Sequence, residues 1–153
     1  MTAAMATPAS SATPLGPQSF LSFDFGTRRI GVASGNTVLG HAQALRTLAG
    51  GAPAFDAIAA LIAEWRPDAL VVGVPFHPDG AAHENTRRAQ RFARQLQGRF
   101  KLPVHAVDER YTTTEALAAG AAEADIDAVA AALILDQHLR SLKVPAFAHA
   151  PGP

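Results

Sequence analysis

The chain has 153 residues, 13 basic and 13 acidic side chains, 48% hydrophobic residues and no cysteine. Its length suits one domain with a sizeable core, and the lack of cysteine excludes disulfides, thiolate zinc sites and a cysteine nucleophile together. No apolar run approaches the ~20 residues of a bilayer span, and zero net charge provides no global field for nucleic acid, so any such surface must be local.

The first residues, "MTAAMATPASSATPLGPQS", are rich in Ala, Pro, Ser and Thr. They lack the basic and continuous apolar regions of a signal peptide. Residues 1–19 therefore read as a disordered tail, 20–142 as one folded domain and 143–153 as a flexible C-terminal tail. The cytoplasm is the default compartment.

Phe20, Ser22 and Asp24 alternate with Leu21, Phe23 and Phe25, the period-2 pattern of a half-buried strand. Asp24 then projects from one sheet face beside Phe20 and Ser22, at the centre of the strand. A carboxylate there is costly unless a cation or hydrogen-bond donors offset it. Gly26 breaks the strand, the run from Arg29 to Ala33 resumes it, and Gly35 and Gly40 bracket further short pieces. Residues 20–45 thus predict three short antiparallel strands joined by tight turns.

From Pro53 the spacing becomes helical, with Phe55, Ile58, Leu61, Ile62 and Trp65 on one stripe and Pro67 as the stop. "ALVVGVP" (69–75) is an apolar run suited to a parallel strand covered on both faces. A second helix is expected over about 81–98, with Ala89, Phe92, Ala93 and Leu96 as its stripe and Gly98 closing it. "LPVHAVDER" (102–110) predicts another strand, with His105, Val107 and Glu109 on one face and Val104, Ala106 and Asp108 on the other. A short helix over 112–119 and a long one over 125–142 complete the chain. This order predicts an α/β domain with a mixed five-stranded sheet, three antiparallel strands then parallel ones, and helices on both faces, as a ribonuclease-H-like domain requires. Other α/β folds fit the count of elements less well, but counting alone does not exclude them.

In that topology the first strand and the later parallel strands are neighbours, and the last helix packs across their ends. Asp24, Glu109 and Asp127 are then candidates to converge. Three such carboxylates repel unless divalent cations keep them ionised, and hard oxygen ligands suit Mg²⁺ or Mn²⁺. Two ions about 4 Å apart would activate a water and stabilise the leaving oxygen of a phosphodiester. Each residue also has a simpler role. Asp24 can accept hydrogen bonds from its own turn, Glu109 can pair with Arg28, Arg29 or Arg110, and Asp127 can serve as helix N-terminal acid.

Six of the 13 basic residues fall between 87 and 101, with no acid among them. Arg87, Arg91 and Arg94 share one face of the second helix, either as a solvated face or as a strip for phosphates. No histidine pair has the helical i, i+4 spacing of a metal site. Ser34 and Thr112 to Thr114 have no convincing base partner for acyl transfer.

Four blocks in this order, "DFGTRRIGVA" (24–33), "VVGVPFHPDG" (71–80), "DERYTTTEA" (108–116) and "DIDAVAAALIL" (125–135), resemble the YqgF/RuvX family of ribonuclease-H-like nucleases. The resemblance runs from about Phe20 to Leu142. It implies metal-dependent phosphodiester hydrolysis with Asp24, Glu109 and Asp127 as the acidic site, and pre-16S rRNA as substrate in 5′-end maturation, within pre-ribosomal particles. It also implies supporting roles for Arg110 and Thr113 at the site or on the substrate backbone. A Holliday junction or other structured DNA is the competing substrate. The segment "AAGAAEADID" before Asp127 has no basic residue where many members carry a basic loop.

Two other classes compete. "DFGT" also resembles the phosphate loop of sugar-kinase, actin and chaperone ATPases, but these need two such domains around a nucleotide cleft. A non-catalytic ribonuclease-H-like binding module fits the acidic segment, yet it has no use for three converging acids.

Overall fold

The computed structural model describes residues 16–75, 83–109 and 126–143. The strands are β1 (Ser19–Asp24), β2 (Arg29–Asn36), β3 (Ala42–Ala49), β4 (Ala69–Pro75) and β5 (Val104–Glu109). The helices are α1 (Ala54–Trp65), α2 (His83–Phe100) and α3 (Ile126–Lys143). The sheet order is β3-β2-β1-β4-β5. The β1–β2 and β2–β3 pairs are antiparallel, and the β1–β4 and β4–β5 pairs are parallel. The expected mixed five-stranded sheet is present; the helix expected over 112–119 lies outside the described residues.

Strand alternation divides the core into two layers. Leu21, Phe23, Ile30, Val32, Leu70 and Val72 pack with Ile58 and Leu61 of α1 and Phe92 and Leu96 of α2. Phe20, Ala69, Val71 and Val107 pack with Ile134, Leu135 and Leu139 of α3. Residues 20 and 21 thus face opposite layers, as period-2 alternation requires.

Four local expectations need correction. β3 continues to Ala49 rather than ending near 45. Trp65 is 40% exposed, so α1 buries Ala54, Ile58 and Leu61 and leaves its last apolar residue outside the stripe. Gly98 lies inside α2, which runs to Phe100 and ends at Lys101 with φ 59°, whose N–H donates to the Gln97 carbonyl. Finally, β1 and β5 are not neighbours, because β4 lies between them.

Candidate active site

Asp24 is the last residue of β1, not its centre. Its register partners are Gly31 on β2 and Gly73 on β4, so it is flanked by two residues without side chains. Directly opposed residues on paired strands share a face, and α3 covers this one. Two residues before Asp24, the fully buried Ser22 donates its Oγ–H to the Ala131 carbonyl at 2.8 Å. Asp127 lies one helical turn before Ala131, toward the end of the sheet where Asp24 stands.

Gly31 makes this approach possible. A Cβ at position 31 would collide with the Asp127 carbonyl and lie 2.7 Å from the Ala128 nitrogen. The first turn of α3 therefore rests directly on the β2 backbone, beside Asp24's position in the sheet. Strand parity, one glycine and the Ser22 bond set the backbone of Asp127 beside the end of β1, although 103 positions separate Asp24 and Asp127 in the chain.

The Asp127 carboxylate is 22% exposed, and the Arg29 Nε lies 2.9 Å from its Oδ2. That contact is one of charge rather than an aligned hydrogen bond: Oδ2 is buried and has no hydrogen-bond partner. Arg29 is 57% exposed, so solvent screening limits the pair to about 1 kcal/mol or less of stability. A buried carboxylate oxygen without a hydrogen bond is a site that a hard cation satisfies. Asp127 Oδ2 is therefore an oxygen donor of the kind a divalent metal takes.

Glu109 closes β5 opposite Pro75, two residues past Val107 and across β4 from β1. Its side chain, Arg110 and Thr113 lie outside the described residues. Among the described residues no group of three or more His, Asp or Glu side chains is close enough to hold a metal ion. The structure thus sets two of the three predicted carboxylates beside the first turn of α3 and the third at the end of β5, one strand removed from β1.

Arg87, Arg91 and Arg94 are all exposed on α2. Arg87 lies 3.8 Å and Arg88 3.2 Å from Glu84, whereas Arg91 and Arg94 have no ion pair among the described residues. α2 packs on the sheet face opposite α3, so the arginines and the carboxylates occupy opposite faces of one sheet. Sequence reasoning overlooked that Arg88, Arg91 and Arg99, spaced along one helical side, share a cleft with Phe25, Phe55 and Phe92. The 88-91-95-99 spacing was the available signal.

On the α3 side, His138 stacks on His105 with ring centroids 5.0 Å apart and meets the edge of Phe20. Burial lowers the His138 pKa below the usual histidine value, and the neighbouring His105 lowers it further.

A mixed sheet in 3-2-1-4-5 order, with an acid at the end of its central strand and a second from the helix across it, defines a ribonuclease-H-like domain. The solved structure of Thermus thermophilus RuvC in complex with a Holliday junction substrate matches this fold with TM-score 0.51 and 18% identity, covering 82% of this chain and 95% of the other. The family model for RuvX, described as Holliday junction resolvase, matches residues 18–141, and the chain belongs to that family. Membership makes it a nuclease, a hydrolase of phosphodiester bonds.

Curated relatives support the same assignment. One from Albidiferax ferrireducens is 65% identical over 126 residues, covering 82% of this chain and 80% of the relative. One from a Polaromonas species is 61% identical over 128 residues, covering 83% and 91%. Both bear the name "Putative pre-16S rRNA nuclease".

Proposed function

We propose that this protein is a metal-dependent ribonuclease that matures the 5′ end of pre-16S rRNA during ribosome biogenesis in the cytoplasm, with Asp24, Glu109 and Asp127 as its carboxylates. The observation that carries the mechanism is the contact of the α3 first turn with Gly31, which sets Asp127 beside the end of β1. The names of relatives at 54–65% identity support the substrate.

The three carboxylates would hold Mg²⁺ or Mn²⁺, and two such ions supply an activated water and charge stabilisation for the leaving oxygen. The remaining work belongs to the chain. The Ser22 bond and the Gly31 contact fix Asp127 relative to β1. Arg29 offsets the Asp127 charge from the exposed side. Arg87, Arg91 and Arg94 attract the phosphate backbone at long range, while Arg110 and Thr113 support the site or the substrate strand. No helix among the described residues is long and apolar enough to cross a membrane.

The test is incubation of purified protein with a 5′-extended rRNA precursor and Mn²⁺, beside Asp24→Asn and a four-way DNA junction. Cleavage of the RNA by the wild type alone is the expected result. Equal turnover by Asp24→Asn sinks the carboxylate mechanism. Cutting of the junction but not the RNA moves the assignment to a resolvase. Cleavage of neither substrate moves it to a binding module.

A further inference from the structure

On the sheet face away from α3, three aromatic rings gather beneath α2. Phe25 and Phe92 have centroids 4.7 Å apart with planes 30° from parallel, and Phe55 stands 6.0 Å from Phe92. The half-buried Phe25 and Phe55 line a cleft of about 400 Å³ together with Arg88, Arg91 and Arg99, with the buried Phe92 behind them. The Arg99 guanidinium lies 4.0 Å above the centre of the Phe55 ring. Among the described residues no acidic side chain lines the cleft. Arg88 reaches Glu84 outside it, and Arg91 has no ion pair among the described residues.

This volume falls in the range of small-molecule sites, about 300–1,000 Å³. Arg91 and Arg99, which have no ion pair among the described residues, call for an anion, and the Phe25 and Phe55 rings with the Arg99 plane call for a flat apolar body. A bare phosphate satisfies only the first requirement, and an acidic peptide offers no ring for the second. A nucleotide meets both: guanidinium forks match phosphate oxygens, and a base stacks on aromatic or guanidinium planes. Thr27 and Gln95 in the wall add hydrogen-bonding groups for a base edge.

We propose that this cleft binds one unstacked nucleotide, at a site separate from the carboxylates. The cleft includes Phe25 and Thr27, the residues that follow Asp24 in the turn between β1 and β2. A single strand passing over that turn would meet the cleft on one face and the carboxylates on the other. The occupant is a nucleotide of such a strand or a free nucleotide, and the chemistry of the cleft is the same for both. The proposal uses no feature of the cleavage reaction.

The test measures binding by the full-length chain with divalent metal chelated. Fluorescence anisotropy compares a labelled single-stranded octaribonucleotide with an abasic octamer of equal phosphate count, and AMP is added as competitor. The base-bearing strand should bind about tenfold or more tightly, as one base stacked on an aromatic surface provides. Ala52→Trp fills the cleft from an exposed lining position without altering charge, and it should erase that ratio while salt-sensitive binding persists. Arg91→Glu should weaken the base-bearing strand more than Arg94→Glu, which lies outside the cleft on the same helix.

Displacement by AMP at the same ratio identifies a free nucleotide as occupant; its failure to displace identifies the strand. Equal affinity for both octamers, a ratio that survives Ala52→Trp, or equal effects of the two charge reversals overturns the proposal. Because metal is chelated throughout, a protein that cleaves RNA yet shows no base dependence loses the cleft and keeps the nuclease. A base-dependent protein that cleaves nothing does the reverse.

Discussion

Gly31→Ala is the sharpest perturbation of the carboxylate pair, because it changes neither a charge nor a hydrogen-bonding group. The added methyl would lie 2.7 Å from the Ala128 nitrogen and closer still to the Asp127 carbonyl, whereas ordinary contact begins near 3.4 Å. Both obstacles are backbone, so no rotamer change relieves them. The first turn of α3 must retreat by about 1 Å or more, since packed interiors leave no slack to absorb it. Overpacking of this kind costs about 1–3 kcal/mol. If Asp127 binds metal as proposed, a shift of about 1 Å in its carboxylate is expected to slow cleavage about 100-fold. Urea unfolding reads the first quantity, and single-turnover cleavage at saturating Mn²⁺ reads the second under conditions where the variant is fully folded. A Gly31→Ala protein with wild-type stability and wild-type cleavage would refute the claim that α3 is seated on the β2 backbone at this residue.

Three further outcomes follow from the same packing. Gly98→Ala should stabilise the protein by about 0.5–1 kcal/mol in urea unfolding, because Gly98 lies inside α2 with open space around a Cβ; a loss of stability there contradicts the helical placement. Ser22→Ala should cost about 1 kcal/mol by losing the buried bond to the Ala131 carbonyl, and should lower cleavage by loosening α3; unchanged stability contradicts the bond. His138 has a pKa lowered from 6.5 in the folded state, so between the lowered value and 6.5 the unfolded chain binds more protons and stability rises with pH. The melting temperature should therefore fall as pH drops below about 6.5, and His138→Gln should flatten that part of the profile; an identical profile in the variant contradicts the assignment.

Much of the fold was legible because strand alternation is strict where one face is buried. Phe20, Ser22 and Asp24 alternate with Leu21 and Phe23, and the two sets enter different core layers. The side on which Asp24 projects followed from that parity alone. What was not legible depended on long-range register. Nothing local in "LPVHAVDER" shows that β4 separates β5 from β1, which sets Glu109 one strand further from Asp24 than expected. The end of α2 was misplaced for a local reason: Gly98 is the customary stop, but here Lys101 takes the left-handed conformation three residues later.

Gly31 and the α2 arginines show the two ways in which a site can escape a linear reading. Gly31 sits within an extended run where a glycine looks like a weakness, and its purpose appears only when the backbone of a helix nearly 100 residues away is laid against it. Arg87, Arg91 and Arg94 formed a visible charged strip, yet the guanidinium groups with aromatic companions are Arg88, Arg91 and Arg99. Charge alone selects a helix face that water serves equally well. Charge set above Phe25, Phe55 and Phe92 selects a ligand with both a phosphate and a ring, and that pairing comes from packing α1 and α2 on the same sheet face. The carboxylates and the cleft are thus two results of one alternation: residues 22 and 24 turn toward α3, and residues 23 and 25 turn toward α2.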